Sequence, residues 1–297
     1  MADSGHHQIV LYDSAGRELR RFGSGAAGFE DGIGAATFDG PQGLAATAEA
    51  LFVADTGNHA LRRIGLADGA VTTLAGTGRR GGALGGPAPA GSAALASPWD
   101  CEVLDGGLVF ANAGTHQLGR LDFGTGLVAR LAGSGVEALI DGPAAEAALA
   151  QPSGLAPAAD GALYFADSET SAIRRLAPGP APRVETLAGA GLFEFGHVNG
   201  PLAAARLQHP LGLAALGDGR LAVADSYNNA VRLLDPAAGT LEDLDAGFAC
   251  LDPLCLPYGE PAGIAAAGPG RLLLSDTNNH RIVEIDMAAR TTRQWAG

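Results

Sequence analysis

Carboxylate, amide and imidazole side chains recur along the chain in one short pattern, an Asp followed by Ser or Thr and then by Asn. Clear copies are DTGNH at 55–59, DSYNN at 225–229 and DTNNH at 276–280, and Asn112 stands in place of the Asp in a further copy. Short polar side chains accept hydrogen bonds from nearby backbone N–H groups and stabilise tight turns. We therefore predict a repeated structural turn, formed by Asp3, Asp55, Asn58, Asp167, Asp225, Asn228, Asp276 and Asn279, in preference to a ring of metal ligands.

An Arg follows the Asp by seven residues in three of these copies, as Arg62, Arg174 and Arg232. A guanidinium binds a carboxylate through charge-assisted hydrogen bonds. We expect each Arg to pair with an Asp of the neighbouring repeat.

A second candidate group lies at and near the residue that precedes a proline in successive repeats. That residue changes from Gly40 and Ser97 to Gln151, His209 and Glu260. Variation at one structural position is typical of a binding site on a repeat scaffold, and equally of a surface under no constraint. The predicted binding set comprises Trp99, Asp100, Gln151, His209, Tyr258 and Glu260.

An enzyme is the alternative interpretation, with His209 and Glu260 as acid or base. A catalytic zinc needs about three protein ligands, whereas His209 is the one His of seven in such a position. A calcium site needs several converging carboxylates and carbonyls, for which Glu260 and Asp100 give thin support. No nucleophile has a base at a recognisable spacing, so we predict neither a catalytic residue, nor a metal, nor a cofactor.

The cysteines are too few for a disulfide scaffold. Cys250 and Cys255 are separated by four residues and can form a disulfide if their loop folds back, so they are either a redox pair or an ordinary surface pair. Cys101 is expected to be a small core residue. The segment FEFGHVNG at 193–200 carries two Phe, which are either exposed to a partner or packed beneath their own loop.

The spacing of the repeat predicts the strands and turns on which these residues lie. Successive copies of the Asp or Asn are 52, 57, 55, 58 and 51 residues apart. One unit, residues 38–78, contains four short apolar runs separated by turn signals, including Asp68-Gly69 between the third and fourth. Repeats of about 50 residues with four strands each are typical of β-propeller blades, and the variable residues before the prolines would then line the mouth of a central channel.

We therefore predict an all-β, six-bladed propeller formed as one domain by residues 1–297. The predicted blades are 1–25, 38–78, 97–135, 151–191, 209–246 and 260–297. The first contains only its outer two strands, which predicts that a segment upstream of Met1 supplies the rest. Pro143 and Pro201, in the long connections between blades, are expected to begin short helical turns.

Composition narrows the function classes. The net charge is −13, and all 19 basic residues are Arg. So acidic a chain lacks the cationic surface that nucleic acids and anionic membranes attract. The N-terminus has no signal-peptide pattern, and the absence of Lys is typical of a GC-rich genome. We expect a bacterial, cytoplasmic monomer.

Several motifs resemble a known family. The pattern P-x-G followed by an apolar residue, then VADTGNH, resembles the NHL repeat. The ordered stretches SPWD (97–100), AGTHQ (113–117), AQPSGL (150–155), QHPLG (208–212) and VADSYN (223–228) are similar to NHL repeat-containing proteins that carry a thioredoxin-like domain before a six-bladed propeller.

This resemblance implies a protein-interaction or scaffold module within a thioredoxin-like redox protein. The partner would be another protein or the upstream thioredoxin-like domain. The chain contains no Cys-x-x-Cys, so thiol–disulfide oxidoreductase activity would reside in that upstream domain. The alternative is a propeller enzyme of lyase or lactonase type, with a polar or metal site at the channel mouth.

Overall fold

The computed structural model describes residues 1–245 and 247–297. Six β-sheets follow one another along the chain, and each helical element in the described residues is a single 3-10 turn of three residues. This is the all-β fold of a six-bladed propeller, so the fold class predicted from the repeat spacing is confirmed.

The chain forms two compact units, of which the first comprises Met1–Glu137 and Ala144–Pro152. Its first sheet has the order β1-β2-β3, with strands β1 Ala2–Asp3, β2 Gln8–Tyr12 and β3 Glu18–Phe22. Its second has the order β4-β8-β7-β6-β5, with strands β4 Gly32–Ile33, β5 Leu44–Ala46, β6 Ala50–Asp55, β7 Ala60–Gly65 and β8 Ala70–Ala75. Its third has the order β10-β11-β12-β13-β9, with strands β9 Ala88–Pro89, β10 Pro98–Leu104, β11 Gly107–Asn112, β12 Gln117–Asp122 and β13 Leu127–Ala132.

The second unit comprises Ala138–Pro143 and Ser153–Gly297. Its first sheet, ordered β14-β18-β17-β16-β15, contains β14 Gly142–Pro143, β15 Pro152–Pro157, β16 Leu163–Asp167, β17 Ala172–Ala177 and β18 Arg183–Ala188. Its second, ordered β19-β23-β22-β21-β20, contains β19 Gly200–Pro201, β20 Gly212–Ala215, β21 Leu221–Asp225, β22 Ala230–Asp235 and β23 Thr240–Asp243. Its third, ordered β24-β28-β27-β26-β25, contains β24 Ala249–Cys250, β25 Pro261–Ala266, β26 Arg271–Asp276, β27 Arg281–Asp286 and β28 Thr291–Ala296.

Each five-stranded sheet has an outer strand that the four-strand repeat does not predict. Gly142–Pro143 pairs with β18, and Gly200–Pro201 pairs with β23. A turn nevertheless follows each proline, at 144–146 and at 202–204, and the Pro201 carbonyl accepts the Ala204 and Ala205 N–H groups at 2.8 and 2.9 Å, so the expected helical turn does begin at Pro201. What the sequence did not predict is the strand pairing of the two prolines themselves. Both lie in extended strands at a sheet edge, where a proline costs no ladder hydrogen bond.

The core lies between neighbouring sheets within each unit, because a blade is apolar on both faces. In β6, Phe52 packs with Leu95 and Phe110 of the following sheet, whereas the adjacent Val53 packs with Ile9 and residues of the preceding one. Successive side chains of a strand point to opposite faces. The continuous apolar run ALFVAD is therefore buried on both sides.

Candidate functional site

The Asp of the repeated turn is a buried hydrogen-bond acceptor. Asp225 is fully buried and accepts the backbone N–H of Gln208 at 2.7 Å, the Asn228 amide at 2.8 Å and the Arg232 guanidinium at 2.6 Å. Asp55 makes the equivalent bonds to the Asp39 N–H, Asn58 and Arg62. In both copies the ligand capacity of the carboxylate is taken up by donors of the protein itself.

The predicted pairing of these Arg residues with a neighbouring repeat is wrong. Arg62 binds Asp55 of its own sheet at 2.6 Å and reaches Asp31, beside the outer strand of the same sheet, at 2.8 Å. Arg174 likewise connects Asp167 and Asp141. The third strand lies between the second and fourth strands of its own sheet. Its Arg binds the Asp at the end of the second strand and a second Asp beside the outer strand, so both carboxylates belong to the same sheet.

The pKa values of the two carboxylates that bind Arg62, Asp55 and Asp31, are shifted in opposite directions. Burial raises the pKa of Asp55, although Asn58, the Asp39 N–H and Arg62 oppose that effect. Asp31 is half-exposed, so burial raises its pKa less than the hydrogen bonds from Thr73 and Arg62 lower it, and the net pKa is lowered. The depth of each carboxylate decides which effect prevails.

The turns also connect each sheet to the next. The last turn residue adopts a left-handed conformation, and its side chain accepts the backbone N–H of the residue before the next proline. Asn229 Oδ1 accepts the Glu260 N–H at 2.7 Å, and His59 Nδ1 accepts the Ser97 N–H at 3.0 Å. The same bond joins His7 to Gly40, His116 to Gln151 and Ser171 to His209.

The Ser or Thr after the turn Asp adds a second bond between sheets. Thr56 Oγ1 donates to the Pro98 carbonyl at 2.7 Å, and Ser226 Oγ donates to the Pro261 carbonyl at 2.6 Å. We call this pair of contacts the turn clamp. It consists of the side chain of the left-handed turn residue and the hydroxyl of the Ser or Thr, which together bind the proline of the next sheet and the residue before it. In each of these copies the clamp holds the backbone N–H of the residue before proline, and Ser97 adds a side-chain contact, from Oγ to His59 Nδ1 at 3.4 Å. The side chain at this position can therefore vary.

The predicted binding set is divided between the two units. Trp99, Asp100 and Gln151 belong to the first. Trp99 and Asp100 lie half-buried on β10, where Asp100 Oδ1 accepts the Cys101 N–H at 2.8 Å. Gln151 is exposed, and its backbone N–H bonds His116 Nδ1 at 3.2 Å.

Glu102 is a titratable residue near this group that is absent from the predicted set. Burial and the neighbouring Asp100 raise its pKa to about 8, so Glu102 is largely a neutral carboxylic acid at pH 7. Its position two residues after Asp100 on one strand was the available signal, because residues i and i+2 share a face.

His209, Tyr258 and Glu260 belong to the second unit. The His209 ring stacks on Tyr227 with ring centroids 4.5 Å apart. Burial lowers the pKa of His209, while Glu169 and Glu260 raise it and only partly compensate. His209 is therefore a neutral imidazole at pH 7.

Tyr258 is held by Asp245. Its hydroxyl donates to Asp245 Oδ2 at 2.6 Å. Burial raises the pKa of Tyr258 strongly, and the negative charge of Asp245 adds to the effect. Tyr258 thus remains protonated across the physiological range.

Cys250 and Cys255 form a disulfide with Cα atoms 5.9 Å apart. The disulfide lines a cavity of about 230 Å³ together with Tyr258, Arg281 and Thr292. Cys101, in the first unit, is a fully buried free thiol.

The connecting loop at 193–200 exposes its aromatic side chains. Phe193 and Phe195 are 87% and 54% exposed, so they do not pack beneath their own loop. Across residues 1–245 and 247–297, no three His, Cys, Asp or Glu side chains come together in a group able to hold a metal ion. The same residues contain no helix with the length and apolar character needed to cross a membrane.

The sheets and their turns define a β-propeller built from NHL-type repeats, and a family model of the NHL repeat matches residues 207–232. The chain thus carries the NHL repeat and is similar to NHL repeat-containing proteins. It is 35% identical over 329 residues to NHL repeat-containing protein 2 of Bos taurus, an alignment that covers 98% of this chain and 45% of that protein.

A second relative is Protein SUPPRESSOR OF QUENCHING 1, chloroplastic, of Arabidopsis thaliana. Identity is 37%, over 97% of this chain and 29% of that protein. The chain therefore spans less than half the length of either relative. Among solved structures, the nidogen/laminin complex contains a similar chain with a TM-score of 0.60 and 16% identity, covering 85% of this chain and 78% of that one. At this identity the likeness concerns the fold alone.

Proposed function

We propose that this chain is a protein-interaction module that works with a thioredoxin-like domain. The observation that carries the proposal is the loop around Phe193 and Phe195, which presents two aromatic side chains to solvent. Aromatic residues supply a large share of binding energy at protein interfaces. Their exposure on a connecting loop is therefore a feature of a docking surface.

The backbone of this loop is held firmly, which favours recognition over random exposure. Gly196 bonds Leu207 and Asn228, and Val198 pairs with Arg206 through two backbone hydrogen bonds. Next to Val198, His197 Nε2 lies 2.8 Å from Asp243 Oδ1. A loop already ordered in the free protein loses less conformational entropy when a partner binds.

The polar candidate residues also support the proposal, because their hydrogen-bonding groups already serve structural contacts. The backbone N–H groups before the prolines serve the turn clamps, and the hydroxyl of Tyr258 serves Asp245. The turn Asp residues accept hydrogen bonds from their own sheets. These groups hold the fold together, so binding through exposed loops fits the molecule better than chemistry at the turns.

The test is a binding measurement with a thioredoxin whose two active-site cysteines are replaced by Ser, so that disulfide exchange cannot contribute. We expect titration calorimetry to detect binding, and the double variant Phe193→Ser/Phe195→Ser to weaken it at least 30-fold, in line with the loss of about 2 kcal/mol or more at an interface hot spot. The matched control is Leu19→Ser, which removes a 61% exposed side chain from β3. Equal affinity of the double variant and the wild type would contradict the proposed docking loop.

A second candidate function is an enzyme of lyase or lactonase type, and one observation favours it. His209 is a neutral imidazole that feels the charges of Glu169 and Glu260, the combination that general acid–base catalysis uses. Titration of the chain with Ca²⁺ and with Zn²⁺, followed by calorimetry, tests the metal-dependent form of this candidate. Binding that Glu260→Gln and His209→Ala both abolish would favour the enzyme, and no heat change with either cation would remove a metal site there.

A further inference from the structure

We propose that the Cys250–Cys255 disulfide is a thiol–disulfide exchange site that accepts two electrons from the dithiol of a partner protein. The inference goes beyond the interaction role and does not depend on the loop of Phe193. It rests on the accessibility of the disulfide, on its small part in holding the fold and on its surroundings.

The disulfide is open to attack on one side. Cys255 is exposed and Cys250 is half-buried. Leu251, Leu254 and Leu256 stand around the pair with 60%, 73% and 51% of their surface exposed. An accessible sulfur inside an apolar rim suits a partner that presents its thiol from an apolar surface, because the leucines are buried in the encounter.

The fold holds this segment without help from the disulfide. On the Cys250 side, Leu251 N–H donates to the Thr292 carbonyl at 2.8 Å, and both oxygens of Asp252 accept the Gln294 N–H at 2.8 and 2.9 Å. On the Cys255 side, Arg281 donates to the Leu256 carbonyl at 3.0 Å. Reduction therefore leaves both ends of the loop in place.

The other sheets show that the outer strand needs no cysteine. Asp31 accepts the Thr73 N–H, and Asp141 accepts the Thr186 N–H, in the way that Asp252 accepts that of Gln294. Those two outer strands pair antiparallel with their sheets, whereas β24 pairs parallel with β28. The cysteine pair is thus an addition to a strand position that other blades fill without it.

The cavity beside the disulfide gives a partner room on one side of the pair. Both cysteines line it together with Tyr258 and Arg281, and its volume is about 230 Å³. The Arg281 guanidinium lies 2.7 Å from Asp276 and 3.6 Å from Asp252, so these carboxylates offset its charge. The exchange therefore depends on the accessibility of Cys255 and not on a neighbouring cation.

The reaction balances with the partner dithiol as the sole reductant. A partner thiolate attacks Cys255 Sγ, the bond to Cys250 Sγ breaks, and Cys250 leaves as a thiolate that takes a proton from water. The second partner thiol gives its proton to water and attacks the partner sulfur of the mixed disulfide, which releases Cys255 as a thiolate that is then protonated. Two electrons and two protons pass to the pair, and the partner becomes a disulfide.

The experiment uses the full chain and reduced thioredoxin as the probe. We expect thioredoxin to reduce the pair at least 100-fold faster, per mole of dithiol, than dithiothreitol does. A thioredoxin with its resolving cysteine replaced by Ser should form a covalent complex linked to Cys255, identified by peptide mass spectrometry. Cys101 should be absent from the link, because it is fully buried and burial raises the pKa of its thiol.

The variant Leu254→Ser separates recognition from simple exposure. We expect it to slow reduction by thioredoxin about tenfold and to leave reduction by dithiothreitol unchanged. A ratio below 100, a link at Cys101 or equal slowing with both reductants would overturn the proposal. Because exchange is followed here and binding of a cysteine-free thioredoxin is followed above, the two proposals fail independently.

Discussion

At the scale of the residue, a single side-chain acceptor organises the repeated turn, and Asp225 shows how it does so. Asp225 accepts hydrogen bonds from the Gln208 N–H, the Asn228 amide and the Arg232 guanidinium, and Arg232 has no exposed surface. Burying a lone cation is costly unless a carboxylate offsets the lost hydration. Asp225 is the fully buried partner that offsets the charge of Arg232, and the partly exposed Asp243 is a second partner at 2.9 Å.

The variant Asp225→Ala tests this pair. It should lower the free energy of unfolding by about 3 kcal/mol, the lower end of the cost of breaking a buried ion pair, because the buried guanidinium loses its buried partner and keeps only the partly exposed Asp243 at 2.9 Å. The control Asp218→Ala breaks the exposed ion pair with Arg220 in the same sheet and should cost about 0–1 kcal/mol. Equal losses from the two variants in urea denaturation would argue against a special role for the buried Asp.

At the scale of the element, the turn clamp joins neighbouring sheets. Its acceptor is Asn229 in one sheet and His59 in another, and both residues are left-handed. An imidazole accepts a hydrogen bond at Nδ1 only when that nitrogen carries no proton. The clamp from His59 to Ser97 should therefore respond to pH, and the clamp from Asn229 to Glu260 should not.

Burial and the charge of Arg80 lower the pKa of His59 below its ordinary value of 6.5, and Asp39 only partly opposes them. Between the lowered value and 6.5 the unfolded chain binds more protons than the folded one, so stability falls as the pH decreases through this window. We expect His59→Asn, which keeps an acceptor, to reduce the loss of unfolding free energy between about pH 7.5 and 5.5. The control His280→Asn changes the equivalent turn residue, whose side chain makes no hydrogen bond among the described residues, and should keep the wild-type pH dependence. A slope unchanged by His59→Asn would contradict the clamp.

At the scale of the whole molecule, charged residues and cysteines differ in their roles between the buried and the exposed positions. In three of the turns a buried Asp and a buried Arg cancel, so the net charge of −13 is carried by the remaining residues. Of the three cysteines, two form an exposed disulfide and one lies in the core. The thiol chemistry of the folded protein should therefore be that of the pair alone.

A thiol count tests this distribution. Without reductant, the native protein should show no reactive thiol, and the denatured protein should show one, from Cys101. The double variant Cys250→Ser/Cys255→Ser should keep its β-sheet circular dichroism, because other contacts hold the segment in the folded state. It should lose about 2 kcal/mol of unfolding free energy, because the bridge closes a short loop that restricts the unfolded chain. Three thiols in the oxidised, denatured protein would show that the disulfide is absent.

The sequence alone determined the sheets. Strand alternation and turn chemistry are local, so a turn repeated every 50-odd residues was enough to predict six sheets, the first of them shorter than the others, and the place of Asp55 in a turn. The outer strand at Gly142–Pro143 was missed because a two-residue pairing has no periodicity of its own.

The tertiary structure decided which groups meet. The N–H that His59 accepts, the carboxylate that Arg62 binds and the pKa of Glu102 depend on groups brought together from distant parts of the chain or on how deeply a strand is buried. The residue before each proline looked like a variable site in the sequence. In the structure, the shared property of this residue is its backbone: a left-handed conformation and an N–H that donates to the turn clamp. Neither property depends on the type of side chain, so the sequence did not show them.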